Sequence, residues 1–155
     1  MRFEKWQALG NDYLIVESDQ LPWALTAERI RALCHPNFGP GGDGILLLAA
    51  HVDHVAELRI FNPDGSEAEL SGNGAREAAM YLRQRGWTDE NRFTMLTAAG
   101  VVTPEIHDER SCTMALGTAV LQSPDWPDGP ADGIGRITVG GEEREFQFVN
   151  VGNPQ

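Results

Sequence analysis

Short runs in which hydrophobic and polar residues alternate cover much of the chain, and this pattern predicts a protein built mainly from short strands. Residues 3–16 contain two such runs, separated by Gly10-Asn11-Asp12. Residues 45–48 are apolar without a break, and Leu58 and Ile60 alternate with polar neighbours, as in a strand with one buried face. Further strands are predicted at residues 93–106, at 114–116, and in a hairpin that joins 137–139 to 146–151 through Gly140-Gly141.

Two helices are predicted between these strands. Thr26 suits the N-cap of the first helix, and Pro36 stops it. The second helix shows the spacing of one buried face at Ala75, Ala78, Ala79 and Leu82. Arg85 lies in its last turn, and Gly86 suits the position after its end. Many short strands with two helices predict the α+β class, and residues 123–135, rich in Pro, Gly and Asp, predict a linker.

The charge of the chain narrows the classes of partner. Its 155 residues include 12 Lys and Arg against 23 Asp and Glu, which gives a formal net charge of −11. A field of this sign disfavours nucleic acid and anionic membrane surfaces, since both bind clustered Lys and Arg. No apolar run approaches the about 20 residues of a membrane helix, and the first residues lack an apolar signal segment. We therefore expect a cytoplasmic protein that binds neither nucleic acid nor membranes.

The two cysteines, Cys34 and Cys112, predict neither a disulfide framework nor a metal site. Neither belongs to a CxxC pair, and the four histidines lack the spacing of a zinc finger. His51 and His54 could share a metal with Asp53, but a solvated loop between two strands explains these residues better. We expect reduced, buried thiols and no bound metal.

The segment Ser71-Gly72-Asn73-Gly74 leads directly into the second predicted helix and is the strongest candidate for chemistry. Free backbone N–H groups and the positive end of the helix dipole form an anion site there, and the glycines let a ligand approach the backbone. Ser71 would project beside that site. The residues alone leave an alternative open, in which this segment is a capping turn and nothing more. Gly10-Asn11-Asp12 is likewise either a functional segment or a plain turn.

Four segments, taken in chain order, resemble the diaminopimelate epimerase family. Residues 5–13 (KWQALGNDY) are similar to its opening segment, and residues 38–44 (FGPGGDG) to its glycine-rich loop. Residues 62–76 (NPDGSEAELSGNGAR) resemble its long and specific signature, and Gly152-Asn153-Pro154 matches the start of a further segment. The length and order of these matches argue against coincidence.

The resemblance implies a fold of two similar lobes, each a curved, mostly antiparallel β-sheet or barrel wrapped around a central α-helix. We expect residues 1–120 to form the first lobe, and residues 121–155 to form a linker and the first strands of a second lobe that is mostly absent. Because the family takes one catalytic group from each lobe, the second group would lie beyond Gln155, and the chain alone is expected to be inactive. The second lobe of the same protein is an expected partner, and a homodimer is compatible with the resemblance.

The function implied by the resemblance is the interconversion of LL- and meso-diaminopimelate in lysine biosynthesis, without pyridoxal phosphate or another cofactor. One side chain removes the Cα proton of this small amino acid, and a second side chain delivers a proton on the opposite face. Ser71 stands at the position of this lobe's catalytic residue. The implied substrate-binding residues are Asn11, Asn62, Gly72, Asn73 and Asn153.

Three positions depart from the family pattern. Ser71 stands where the family has a catalytic cysteine, Gln155 where a histidine usually follows Gly-Asn-Pro, and Gly44 where relatives often have a polar substrate contact. A hydroxyl is a far weaker acid than a thiol and needs an adjacent base to act near pH 7. Two other functions therefore stay open: a racemase, isomerase or dehydratase of the same fold with changed chemistry, and a non-catalytic protein that binds a small amino acid.

Overall fold

The described residues, 1–115, 118–122 and 128–150, form short strands and two α-helices in this computed structural model. The chain divides into two compact units, Met1–Ala115 and Leu116–Gln155. The elements of the first unit are β1 Glu4–Ala8, β2 Asn11–Glu17, a 3-10 turn Ser18–Gln20, α1 Ala27–Cys34, β3 Ile45–Ala49, β4 Ala56–Phe61, β5 Glu67–Ala68, α2 Gly72–Gln84, β6 Met95–Thr97, β7 Gly100–Val102, β8 Pro104–Ile106 and β9 Cys112–Met114. The elements of the second unit are β10 Ile134–Val139 and β11 Glu142–Gln147.

A mixed sheet of seven strands organises the first unit, with the strand order β1-β2-β3-β4-β6-β7 and with β5 paired to β4. The pairs β2–β3 and β4–β6 are parallel, and the other neighbours are antiparallel. Parallel neighbours need a long crossover, which α1 supplies between β2 and β3 and α2 supplies between β4 and β6. The strands β8 and β9 form a separate antiparallel pair. The predicted α+β class, with mostly antiparallel pairing, is confirmed.

The two helices cover opposite faces of this sheet, because alternate residues of a strand point to opposite sides. On one face, Leu14 of β2 and Ile45 of β3 lie in one hydrophobic cluster with Ile30 of α1. On the other face, Leu46 reaches the start of α2, where a Cβ added to Gly74 would lie 2.9 Å from the Leu46 Cδ2. Strand β3 is therefore buried on both faces, which explains its unbroken apolar run.

Helix α1 begins and ends as predicted. The Thr26 hydroxyl accepts a hydrogen bond from the Arg29 N–H at 3.4 Å, and the helix ends at Cys34, two residues before Pro36. Cys34 is buried in the same cluster as Ile30, in agreement with its prediction as a buried thiol.

Helix α2 lies at the centre of the first unit, and the sequence predicted too narrow a buried face for it. The helix contacts β1, β2, β3, β4, β8 and β9. Its buried residues extend around the helix and are Gly74, Ala75, Glu77, Ala78, Ala79, Met80, Tyr81 and Leu82. It begins at Gly72, three residues before Ala75, and ends before Gly86, which has the positive φ of 73° that suits this position. The predicted central helix is thus confirmed, but it is enclosed rather than amphipathic.

Two strand boundaries predicted in the first unit are wrong. Asn11 and Asp12 are the first residues of β2, so the break after β1 is confined to Leu9 and Gly10, both with positive φ. The backbone changes direction in this pair, which leaves Asn11 and Asp12 free to join the sheet. The strand predicted at residues 114–116 is β9, which begins earlier, at Cys112. Residue 116 lies outside the described part of the chain.

The predicted hairpin is confirmed, although its strands begin at Ile134 and Glu142. The turn residues Gly140-Gly141 have φ values of 61° and 86°, which is the backbone of a two-residue hairpin turn. Residues 123–127 of the predicted linker and residue 151 of the predicted strand lie outside the described residues. No helix in the described part of the chain is long and apolar enough to cross a membrane.

Candidate active site

Ser71 caps the N-terminus of α2. Its backbone is extended, with φ −128° and ψ 119°, and its Oγ accepts a hydrogen bond from the Gly74 N–H at 3.1 Å. Its carbonyl accepts the first bond of the helix, from the Ala75 N–H, at 2.8 Å. Serine is a preferred N-cap residue because its short side chain reaches the amides of the first turn. The capping turn that the sequence left open is therefore present, and it fixes the Ser71 hydroxyl at the start of the helix.

Two backbone amides at this helix start have no acceptor among the described residues. A helix leaves the N–H groups of its first turn without partners inside the helix, and Ser71 takes that of Gly74. The N–H groups of Gly72 and Asn73 remain, at the positive end of the α2 dipole. They are suited to hold an anionic group such as a carboxylate beside the Ser71 hydroxyl.

Tyr13 is a site residue that the sequence analysis missed. Its side chain is buried, and its hydroxyl donates a hydrogen bond to the Ser71 Oγ at 3.1 Å. A signal was present in the sequence, because Asn11 and Tyr13 lie two residues apart in β2 and residues at this spacing face the same side of a sheet. A role for Asn11 in binding a ligand therefore places the Tyr13 side chain on the same surface.

Gly44, which directly precedes β3, makes room for the ring of Tyr13. A Cβ at this position would lie 2.7 Å from the Tyr13 Cε1 and 2.3 Å from the carbonyl oxygen of Phe61. Any side chain at Gly44 would therefore meet both the Phe61 carbonyl and the Tyr13 ring, so this position has room for glycine alone.

The substitution Gly44→Ala is expected to lower the free energy of unfolding by about 1–3 kcal/mol, because the added methyl would overlap the Phe61 carbonyl and the Tyr13 ring. Denaturant unfolding of the two proteins measures this difference. Gly140→Ala is the control, because a methyl there would meet nothing within 4 Å and reports the cost of a positive φ alone. Equal losses in the two variants would show that neither the Phe61 carbonyl nor the Tyr13 ring restricts the space at Gly44.

The register of the sheet brings Asn62 to the same edge as Tyr13. Leu14 pairs with Ile45, and Ile45 pairs with Phe61, so Tyr13, Gly44 and Asn62 lie side by side, one residue further along. Neighbouring strands lie about 4.8 Å apart, which places the Cα atoms of Tyr13 and Asn62 about 10 Å from each other. The Asn62 side chain donates to the Ser66 Oγ at 3.0 Å, within the turn that follows β4.

Asn11 is held in place by a hydrogen bond to Asp43, within a network that also includes Asp12 and Lys5. Its Nδ2 donates to the Asp43 Oδ2 at 2.7 Å, and the Asp12 N–H donates to the same oxygen at 2.9 Å. These hydrogen bonds, that of Asn11 first, lower the pKa of Asp43, with a smaller contribution from Lys5. Lys5 also forms an ion pair with Asp12 at 2.7 Å. An ionised Asp43 therefore fixes the orientation of the Asn11 amide.

The other asparagines implied by the resemblance differ in what the structure shows of them. Asn73 lies in the first turn of α2, and its Oδ1 accepts a hydrogen bond from Arg76. Its backbone N–H and side chain therefore belong to the same helix start as Ser71. Asn153 lies outside the described residues, as does Gln155.

Glu77 of α2 is a buried acid that the sequence analysis also missed. It is 3% exposed, and neither carboxylate oxygen has a hydrogen-bond partner among the described residues. Burial raises the pKa of Glu77 to about 7, and the negative charges of Asp12 and Asp43 act in the same direction. The Ala8 N–H and the Arg76 guanidinium act in the opposite direction and lower the pKa of Glu77. The Ala8 N–H does not form a hydrogen bond with either oxygen of the carboxyl group. Near pH 7 this carboxyl therefore exists as a mixture of its neutral and charged forms, and it is neutral below that pH.

A cleft of about 550 Å³ borders Glu77, with Trp6, Leu9, Arg76, Met80 and Cys112 among its lining residues. Cys112 is half-buried, not buried as predicted, and its Sγ donates to the Arg76 carbonyl at 3.8 Å. Burial raises the pKa of both cysteine thiols, Cys34 and Cys112. Both are free thiols, and the raised pKa of each disfavours the thiolate near pH 7.

The sequence around this site has clear relatives. A family model described as diaminopimelate epimerase matches residues 3–122. The chain belongs to the diaminopimelate epimerase family. "Diaminopimelate epimerase 2" of Nostoc sp. is 48% identical over 130 residues, which cover 82% of this chain and 45% of that protein. The diaminopimelate epimerase of Aromatoleum aromaticum is 34% identical over 158 residues, which cover 99% of this chain and 57% of that protein. The chain spans about half the length of these family members.

Solved structures share the fold of this diaminopimelate epimerase family member. A hydroxyproline epimerase from Agrobacterium vitis matches with a TM-score of 0.64 and 17% identity, over 95% of this chain and 48% of that one. A methylitaconate-delta-isomerase matches with a TM-score of 0.60 and 15% identity, over 98% of this chain and 51% of that one. At these identities the likeness concerns the fold alone.

Proposed function

We propose that the chain supplies one lobe of a cofactor-independent epimerase that interconverts LL- and meso-diaminopimelate. The observation that carries the proposal is the start of α2, where the Ser71 hydroxyl stands beside the Gly72 and Asn73 amides, which have no acceptor in the described part of the chain. Family membership supports this proposal, because the resemblance of residues 62–76 to the family signature implies that Ser71 stands at the acid/base position.

In the proposed reaction, the amides of Gly72 and Asn73 hold the α-carboxylate of the substrate. Removal of the Cα proton spreads negative charge onto that carboxylate, so donors fixed at the helix N-terminus stabilise the transition state more than the ground state. Ser71 exchanges a proton with one face of Cα. Asn11 and Asn62, at the same edge of the sheet, orient the substrate, and we assign the same role to the side chains of Asn73 and Asn153.

The proposed organisation follows from the length of the relatives. Residues 1–120 form the first lobe, and residues 121–155 open a second lobe that supplies the opposing acid/base residue. The two described units are compatible with this division. Lysine biosynthesis in the cytoplasm is the proposed setting, with the small amino acid as the ligand and a homodimer as the proposed assembly.

The test is deuterium wash-in at Cα of LL- and meso-diaminopimelate, measured in heavy water by NMR with the full-length protein. We expect deuterium at Cα and conversion of each isomer into the other. Loss of water from the substrate would replace the proposal by a dehydratase of the same fold. Binding without exchange would replace it by a non-catalytic binding protein.

A further inference from the structure

We propose that Tyr13 is the proton-relay partner of Ser71. It is a positioning residue that donates a proton to the Ser71 Oγ each time the Ser71 hydroxyl gives up its own proton. The inference rests on the proposed function and adds to it the group that a serine needs at a position where the family has a thiol. The observation behind it is the 3.1 Å hydrogen bond that the Tyr13 hydroxyl donates to the Ser71 Oγ.

The hydrogen bonds of Ser71 leave its hydroxyl one role. A serine hydroxyl has one proton to donate and two lone pairs that accept. The Gly74 N–H and the Tyr13 O–H occupy the two lone pairs, each at 3.1 Å. With both lone pairs occupied by described residues, the Ser71 proton is the part of the hydroxyl that remains for a ligand. The Tyr13 hydroxyl, which can replace that proton, already contacts the Ser71 oxygen.

The transfer moves two protons and carries one negative charge from Cα to Tyr13. As the Cα carbanion is protonated, its electron pair forms a C–H bond with the Ser71 hydroxyl proton and the Ser71 O–H bond breaks. The Tyr13 proton moves onto the Ser71 Oγ as the Tyr13 O–H bond breaks. The negative charge that began on Cα ends as the Tyr13 phenolate. In the opposite direction the phenolate takes up the serine proton while Ser71 removes the proton from Cα, and exchange of the phenol proton with water brings deuterium into the pair.

A relay of this kind changes the acid that limits the reaction. The net donor becomes a phenol, and a phenol is a far stronger acid than the aliphatic hydroxyl of a serine. A serine without such a partner has no group through which it could ionise near neutral pH.

The surroundings of Tyr13 hold its ring where the relay needs it. The ring packs against the first turn of α2, since a Cβ on Gly74 would lie 3.3 Å from the Tyr13 Cε2. Gly44 leaves the space beside the Tyr13 Cε1 open for the ring. The Tyr13 hydroxyl thus lies at the start of α2, within hydrogen-bond distance of the Ser71 Oγ. Tyr81, the other tyrosine of the chain, donates instead to Glu17 and takes no part in this arrangement.

The experiment is a double-mutant cycle of Tyr13→Phe and Ser71→Cys in the full-length protein, read as deuterium wash-in at Cα of diaminopimelate at saturating substrate. In the native background, Tyr13→Phe is expected to lower kcat about 10²-fold, the scale of a general acid or base, with KM changed less than about twofold. In the Ser71→Cys background the same change is expected to cost less than about threefold, because a thiol ionises without a relay. Tyr81→Phe is the matched control and should leave kcat unchanged.

Each other outcome removes a specific part of the account. Equal losses from Tyr13→Phe in both backgrounds would show a structural role and overturn the relay, as would a native enzyme that tolerates Tyr13→Phe. In either case the proposed epimerase function would stand. Absence of wash-in from both the native protein and Ser71→Cys would refute the proposed function, and the relay with it. A second readout is the pH–rate profile, which Tyr13→Phe should change in the native background and leave unchanged in the Ser71→Cys background.

Discussion

Replacing Ser71 by cysteine is expected to raise the rate of deuterium wash-in at Cα of diaminopimelate by about 10²-fold or more in the full-length protein. The Ser71 side chain lies at the N-terminus of α2, where the helix dipole favours a negative charge. A thiol at this position has its pKa lowered and is present in part as the thiolate, whereas the serine hydroxyl stays protonated at pH 7. The measurement compares initial rates of wash-in by NMR at equal protein concentration.

Ser71→Ala is the control for this prediction, since it removes the hydroxyl and keeps the backbone amides of Gly72 and Asn73. A serine that serves only as a hydrogen-bond donor to the substrate would give weaker binding in Ser71→Ala and no gain in Ser71→Cys. Equal rates in all three proteins would mean that Ser71 is a helix cap alone, and the functional interpretation of this segment would fail.

The free energy of unfolding is expected to fall by about 3 kcal/mol as the pH rises through the range in which Glu77 titrates. The pKa of Glu77 is raised from 4.5 to about 7 in the folded protein. Between these values the folded chain holds a proton on Glu77 that the unfolded chain has lost, so each pH unit costs about 1.4 kcal/mol. The stabilising contribution is complete below pH 4.5 and is lost by about pH 7. Denaturant titrations at pH 4.5 to 8 measure the change.

Glu77→Gln is expected to flatten this pH dependence, because the amide has the shape of the neutral acid and does not ionise. The variant should be more stable than the native chain above pH 7 and close to it at pH 4.5. Glu105→Gln, at an exposed position of β8, is the matched control and should keep the native slope. A native slope in Glu77→Gln would show that another group causes the dependence.

The local structure of this chain could be predicted from its sequence wherever one short segment decides it. Thr26 and Gly86 mark helix ends through their own hydrogen bonding and φ, and Gly140-Gly141 sets a hairpin by itself. The enclosure of α2 could not be predicted in this way. It depends on strands far apart in sequence, and a residue such as Glu77 carries no local sign that the sheet and the β8–β9 pair will enclose its helix.

The candidate site shows the same division. Ser71, Gly72 and Asn73 are adjacent in sequence, and capping rules together with the family resemblance were enough to select them. Tyr13 comes from another strand, 58 positions away, and reaches Ser71 because β2 and β3 pair in one particular register. Gly44 lies beside the Tyr13 ring, but its own segment does not show this, because β2 supplies the ring.

The enclosure of α2 also determines how the first unit can open. A helix with one face in solvent can fray or detach while the rest of a domain stays folded, but α2 has strands around it and buried side chains at Ala78, Ala79 and Leu82. Its amide protons can therefore exchange with solvent only when the surrounding sheet separates. In native-state hydrogen exchange, the slowest amides of α2 should report the global free energy of unfolding, while those of the exposed β10–β11 hairpin should exchange by local opening. The helix that presents the candidate site is thus anchored in the last part of the first unit to lose its structure.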